Sequence, residues 1–306
     1  MYLKLVKIIS MKDFTKETLL NVTNWIQNEL QEKKKISFIA LNPDNNTHAK
    51  GYKTWVNLAE LHYCKMLTPE KINNQHIKIT FLKLNREDSF HSAPIENREE
   101  KYGVESKFFD INKNEEPTFL HAYKKALEAV KIQNRKQVLN LGINKGDEFE
   151  LIAKIIEERT FNKIKFIGID HSQSALDFAK NRFPKDNVEF YKHDINQLEA
   201  LKLDKSDLII SIGTFQSPSI NYKPFLMSLV QEHLTDNGAF ILGFPNSRWI
   251  DKELIYGAKA PNYPYSEMSL LFNDVIFAKK YLQQKKFRVT ITGREYIFLT
   301  ATRIGI

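Results

Sequence analysis

The hydrophobic pattern of the chain changes character near residue 130. Before that point the periods are mixed. Leu3 to Ile9 alternates as a strand does, and Phe14 to Glu32 places Leu19, Leu20, Val22, Ile26 and Leu30 at helical spacing. Ile36 to Leu41 reads as a short strand, broken by Asn42-Pro43-Asp44-Asn45-Asn46. Trp55 to Met66 has a helical period that includes Cys64, and His76 to Leu84 alternates again. Together these predict a small α+β module over residues 1–88. Residues 89–116 are polar and nearly aperiodic, which predicts a linker or a cover segment. Pro117 to Ile132 predicts a helix with Phe119, Leu120, Tyr123 and Leu127 on one side.

From residue 136 onward strands and helices alternate. Strands are expected at 137–141, 163–169, 188–191, 207–212 and 239–243, and helices at 148–158, 172–183, 224–234 and 273–285. Ser172 is a natural N-cap, and Asp236-Asn237-Gly238 predicts a turn. Gly293-Arg294 separates two further strand patterns, 287–292 and 295–304, as a hairpin does. Near-continuous apolar strands joined by helices predict a parallel sheet covered on both faces.

Composition narrows the class. Hydrophobic residues at 42% suffice for a core, and charged residues at 27% argue against disorder. No apolar run reaches the roughly 20 residues that cross a bilayer. The stretch MYLKLVKIIS lacks the core and cleavage site of a signal peptide. Cys64 is the one cysteine, which excludes an intramolecular disulfide and a Cys-rich zinc or iron–sulfur centre; no metal is expected. A packing thiol in a reducing cytoplasm fits. Net charge is +8, and residues 1–135 carry 22 basic and 17 acidic side chains. Such a balance attracts phosphates and RNA, or reflects a lysine-rich composition.

Three segments carry candidate chemistry. Val138 to Asp147 runs strand, tight turn, helix, with Gly142 and Gly146 allowing close backbone approach and the helix offering free N–H groups. The next strand ends in Asp170, which can accept both hydroxyls of a ribose. His193-Asp194-Ile195 follows the strand after that, where a carboxylate can take an exocyclic amine and an apolar neighbour can pack on a purine.

This ordered series resembles the class I S-adenosylmethionine-dependent methyltransferases over residues 117–306. VLNLGINKG stands where the family usually has VLDLGCGTG. KFIGIDHSQSAL, YKHDINQL, DLIISIGTFQS and DNGAFILGF follow in the family's order. Two residues depart from the first motif. Asn140 replaces an acid and keeps an acceptor without charge; Asn144 replaces a glycine and is the side chain most tolerant of positive φ. A nicotinamide-binding G-x-G-x-x-G is excluded, because Asn144 and Asp147 occupy two of its three glycine positions.

The resemblance implies a Rossmann-like, doubly wound and mostly parallel α/β sheet with a C-terminal antiparallel hairpin. It implies S-adenosyl-L-methionine as cofactor. Asn140, Gly142, Asn144 and Gly146 would form the turn at its methionine part. Asp170 would bind the ribose, His171 and Ser172 would edge the adenosine pocket, and Asp194 with Ile195 would hold the adenine. Ser211 to Gly213 would floor the sulfonium. Gln216, Asn246 and Arg248 stand where substrate is usually met. The family's Pro-Pro motif of adenine and glutamine amino-methyltransferases is absent after the fourth strand, and Cys64 lies outside the matching region, against a covalent pyrimidine mechanism. No catalytic base is singled out, and His193 and His233 read as surface histidines. Tyr102, Phe108 and Phe109 would fold over the cofactor or simply pack, and Tyr256 to Tyr265 would line an acceptor pocket or form a plain loop. The acceptor is a small molecule or RNA, the latter docked by the N-terminal module. The alternative is a non-catalytic protein that binds the cofactor or a nucleoside.

Overall fold

The computed structural model describes residues 11–85, 100–258 and 267–305. The predicted strand Leu3 to Ile9 lies outside them, as do residues 89–99 of the cover segment and most of Tyr256 to Tyr265. The chain divides into two compact units, residues 1–89 with 249–255, and residues 90–248 with 256–306.

In the first unit, β1 (Lys12–Asp13), β2 (Lys35–Leu41), β5 (His76–Lys83) and β3 (Cys64–Met66) are neighbours in that order, with β4 (Glu70–Lys71) also on β5. Two helices, α1 (Leu19–Glu32) and α2 (Tyr52–Leu61), complete it. Thr18 caps α1 by accepting from the Asn21 amide, so the helix begins five residues later than its periodicity suggests. Val22, Ile26 and Leu30 of α1 join Phe38, Trp55, Ile79 and Phe81 in one core. Helix α2 is shorter than its pattern. It stops at Leu61, Tyr63 is left-handed at φ 53°, and Cys64–Met66 pairs with Lys83 to Phe81 instead. Strand pairing overrides the local helical period there. Cys64 is buried, as a packing thiol should be, and burial pushes its thiol up to about 11.

The second unit opens with turns over residues 100–116 and then α3 (Pro117–Ala129). The alternating elements follow as β6 (Gln137–Leu141), α4 (Asp147–Ile155), α5 (Glu158–Phe161), β7 (Lys165–Asp170), α6 (Gln173–Arg182), β8 (Val188–Lys192), β9 (Ser206–Ile212), α7 (Tyr222–Ser228) and β10 (Leu234–Pro245). A short pair, β11 (Ser247–Ile250) and β12 (Glu253–Tyr256), falls mostly in the first unit, and the second resumes with α8 (Ser269–Gln284), β13 (Phe287–Gly293) and β14 (Tyr296–Arg303). The predicted turn at 236–238 is a bulge inside β10, where the pairing with β9 skips from Leu234 to Ala239.

Seven strands form the sheet in the order β13-β14-β10-β9-β6-β7-β8. All pairs are parallel except those of β14, which runs antiparallel to both β10 and β13. This is the Rossmann-like α/β sheet with a terminal hairpin that the resemblance implies. Side chains alternate between two cores. Val138, Ile210, Ile241 and Phe298 face one, packed by α3 and α4; Leu139, Ile209, Phe240 and Leu299 face the other, packed by α7 and α8. Strand β6 has β7 on one side and β9 on the other, so the winding reverses there. The crevice beyond the carboxyl ends of β6 and β9 is where such sheets bind ligands.

Candidate active site

Strand β6 leaves the sheet at Gly142. The amides of Gly142 and Ile143 both donate to the Ile169 carbonyl, at 2.8 and 3.1 Å, which ties the turn to the end of β7. Gly142, Asn144 and Gly146 have φ of 79°, 47° and 86°, so the turn uses the left-handed region three times in five residues. Asn144 tolerates it as the non-glycine residue best suited to it. A Cβ on Gly142 would overlap the Thr214 side chain, whose hydroxyl donates to Leu141 O at 3.0 Å. A Cβ on Gly146 would lie 2.8 Å from the Phe183 ring. The glycines are therefore required by the chain's own packing as well as by φ. Sequence reasoning did not single out Thr214.

Asp170 ends β7 and is 6% exposed. Its Oδ2 accepts from Asn144 N at 2.8 Å, and its Oδ1 accepts from Ser172 N at 3.0 Å. Ser172 caps α6, its hydroxyl accepting from Ala175 N. His171 is half exposed, with Nδ1 3.5 Å from Asp170 Oδ1. The turn after β6 and the acid after β7 are thus bonded to one another. Beyond β8, Asp194 is exposed and its Oδ1 accepts from both nitrogens of Asn196, while Ile195 is buried. His193 donates its amide to Asp170 O. Ser211 is buried and donates to Leu141 O at 3.1 Å; Gly213 donates its amide to Gly243 O.

Asn140 is fully buried, on the β6 face shared with Val138, and neither atom of its amide has a hydrogen-bond partner. The same holds for both amide atoms of Gln216 in the loop after β9. Asn246, after β10, is 1% exposed; its Nδ2 donates to Arg294 O at 2.9 Å, and its Oδ1 has no partner. Arg248 is half-buried further along. His233 is not on the surface as expected: it is 8% exposed in the π-turn that ends α7, and burial lowers its pKa, which keeps it neutral.

Other groups at this site carry no signal in the sequence. Lys113, buried, donates to Glu148 Oε1 at 2.9 Å. Burial is the largest single influence and opposes the Lys113 charge, but Glu148, Tyr296 and Asp147 together outweigh it and raise its pKa. Asn114 donates to Asp147 O, and Arg182 pairs with Asp147 and Glu150. Asp147, Glu148 and Glu150 read as an acidic first helical turn, a surface feature; nothing in that pattern marks a buried ion pair.

The sequence model of a family described as a methyltransferase domain matches residues 132–288, just over half of the chain. The chain belongs to this family. Residues 132–288 are its methyltransferase domain. No curated protein matches it. Among solved structures, coclaurine N-methyltransferase bound to N-methylheliamine and S-adenosylhomocysteine is 21% identical with a TM-score of 0.35, covering 42% of this chain and 36% of that one. The chain spans only about a third of that relative's length. The N-methyltransferase NodS from Bradyrhizobium japonicum is 14% identical with a TM-score of 0.42, covering 62% and 98%. The methyltransferase domain of bacterial CtHen1-C is 16% identical with a TM-score of 0.44, covering 61% and 98%. Among the described residues, no helix is long and apolar enough to cross a membrane.

Proposed function

We propose that the crevice beyond β6, β7 and β9 holds S-adenosylmethionine and that a small polar molecule entering over β9 and β10 receives the methyl group. In this reading residues 117–306 are the transfer domain and 1–88 an accessory module, joined by 89–116 as a linker or cover segment. The observation that carries the reading is Asp170. It is a buried carboxylate one strand from the glycine turn, and each of its oxygens accepts only one amide in the bonds above. A carboxylate oxygen has two lone pairs, so a vicinal diol finds an acceptor on either side.

The residues present fit the cofactor. Asn140 supports this from the other end of the turn, as a buried amide waiting for a polar partner near the methionine part. Asp170 would take the ribose with His171 at the pocket edge, and Asp194 with Ile195 would take the adenine. Gly142, Asn144 and Gly146 shape the turn, and Ser211 and Gly213 form the floor. When bound, S-adenosylmethionine supplies a methyl group on a sulfonium, ready for in-line displacement. The chain's own work is alignment and exclusion of water. No side chain is required as a base for that.

The acceptor reading rests on Gln216 and Asn246. Their unpaired amide atoms are shielded from water at the ends of β9 and β10. A substrate that offers hydrogen-bonding groups would satisfy them, and in this reading Arg248 would meet an anionic substituent. The test is transfer of labelled methyl from S-adenosylmethionine into fractionated cell extract. Label in the small-molecule fraction, lost in Gln216→Ala, is the expected result. Label confined to RNA would overturn the small-molecule reading.

A further inference from the structure

We propose that the turn Glu100–Gly103 is a positioning element for the Asp170 carboxylate, with Asn144 and Glu100 as its two clasps. The inference rests on the cofactor reading above. Two backbone amides orient Asp170, those of Asn144 and Ser172. Each belongs to a residue whose side chain is itself bonded to this turn. Asn144 Nδ2 donates to the Tyr102 carbonyl at 2.7 Å, and Ser172 Oγ donates to Glu100 Oε2 at 2.9 Å.

Glu100 does more than hold Ser172. Its Oε1 accepts the amides of Gln173 and Ser174 at 2.9 and 3.4 Å, and its Oε2 also accepts the Ser174 hydroxyl. A carboxylate is thereby seated on the first turn of α6, where the helix dipole favours it. Burial works against its charge, but the bonds from Ser174 and Ser172 hold the Glu100 carboxyl below its ordinary range. Val104 N donates to Ser174 Oγ at 3.1 Å. Gly103 has no room for a side chain: a Cβ would overlap the Glu100 carboxylate and the Ser174 hydroxyl. Its φ lies outside the left-handed region, so the glycine answers to space alone. Farther along, Lys145 donates to the carbonyls of Phe109 and Ile111, and the Lys113–Glu148 pair closes the strap.

This accounts for Asn144, which stands where the related motif has glycine. Glycine would keep the amide on Asp170 and lose the clasp on Tyr102. Asn144 and Glu100 act on the ligand through Asp170 and are positioning residues.

The experiment uses the full chain and S-adenosylhomocysteine as probe, with affinity from calorimetry, dissociation from stopped flow and hydrogen exchange by mass spectrometry. Asn144→Gly and Gly103→Ala should each raise Kd about tenfold, mainly through faster dissociation, the scale of one lost hydrogen bond. Exchange should rise over 100–111 and 172–175 in both variants. Glu100→Gln keeps one of the two acceptor oxygens and should lose less than Glu100→Ala. Asn144→Gly should add nothing to Asp170→Ala, because both act through one carboxylate. Asn144→Gly removes no buried apolar group, so it folds. Unchanged Kd in both Asn144→Gly and Gly103→Ala, or losses that add to that of Asp170→Ala, would overturn the proposal. Wild-type protein that binds no S-adenosylhomocysteine would instead defeat the cofactor reading, and the proposal with it.

Discussion

Asn140 lies among apolar residues of the β6 core face with both ends of its amide unpaired. An unsatisfied buried polar group costs about 1–3 kcal/mol, and ligand-binding residues commonly carry such a cost. Asn140→Val should therefore raise the melting temperature of the ligand-free protein by roughly 2–4 °C while weakening S-adenosylhomocysteine binding. Thermal denaturation with and without the ligand reads both effects. A variant that melts lower and binds as well would make Asn140 a plain structural residue. At this scale the sequence was informative where a residue type stood at a strand end. Asp170 was legible because an acid closes an apolar strand, and the Asn140 departure because the motif around it is ordered. Glu100 was not, since it lies in a polar stretch without periodicity and its meaning comes from bonds to residues more than seventy positions away. The side chain of Asn144 was legible as a turn residue and silent as a clasp.

Elements of the second unit are readable because its strands are buried on both faces, so each appears as an apolar run between helices. Helix ends followed local chemistry, as with Ser172 at α6. The failures lie where tertiary pairing decides. Residues 62–66 have a helical period, but the strand β5 beside them takes Cys64–Met66 into the sheet. The strap over residues 100–116 is held by side-chain bonds to loops, which no pattern of hydrophobicity records. Its pH response follows from Glu100. A carboxyl held below its unfolded value contributes fully above the ordinary Glu value of about 4.3 and loses that contribution as pH falls through the folded value. Exchange protection over 100–111 should thus be level from pH 8 to 5 and fall only in more acid solution. Protection that falls between pH 8 and 6 would show that Glu100 is not the controlling group.

Across the whole molecule, three large cores organise the described residues, one within the first unit and one on each face of the seven-stranded sheet, with a small fourth cluster of Leu84, Ile250 and Ile255 in the first unit. Strand–helix alternation implied a parallel sheet and the closing pattern a hairpin, while the strand order, with its reversal at β6, comes from the structure. Net charge says less. The excess of basic groups is compatible with RNA, but many of those groups are spent within the fold, as Lys113, Lys145 and Arg182 are on Glu148, Asp147 and Glu150. The acceptor follows from loop residues, which vary freely on a fixed scaffold, so the fold alone does not name it. The central claim is that the ribose carboxylate is Asp170. Isothermal titration of S-adenosylhomocysteine into the wild-type chain and into Asp170→Ala addresses it directly. Saturable heat at one site in the wild type, weakened roughly 100-fold in the variant by loss of charge-assisted hydrogen bonds, is the predicted result. Equal affinity in the two proteins, with the variant folded by circular dichroism, would contradict it.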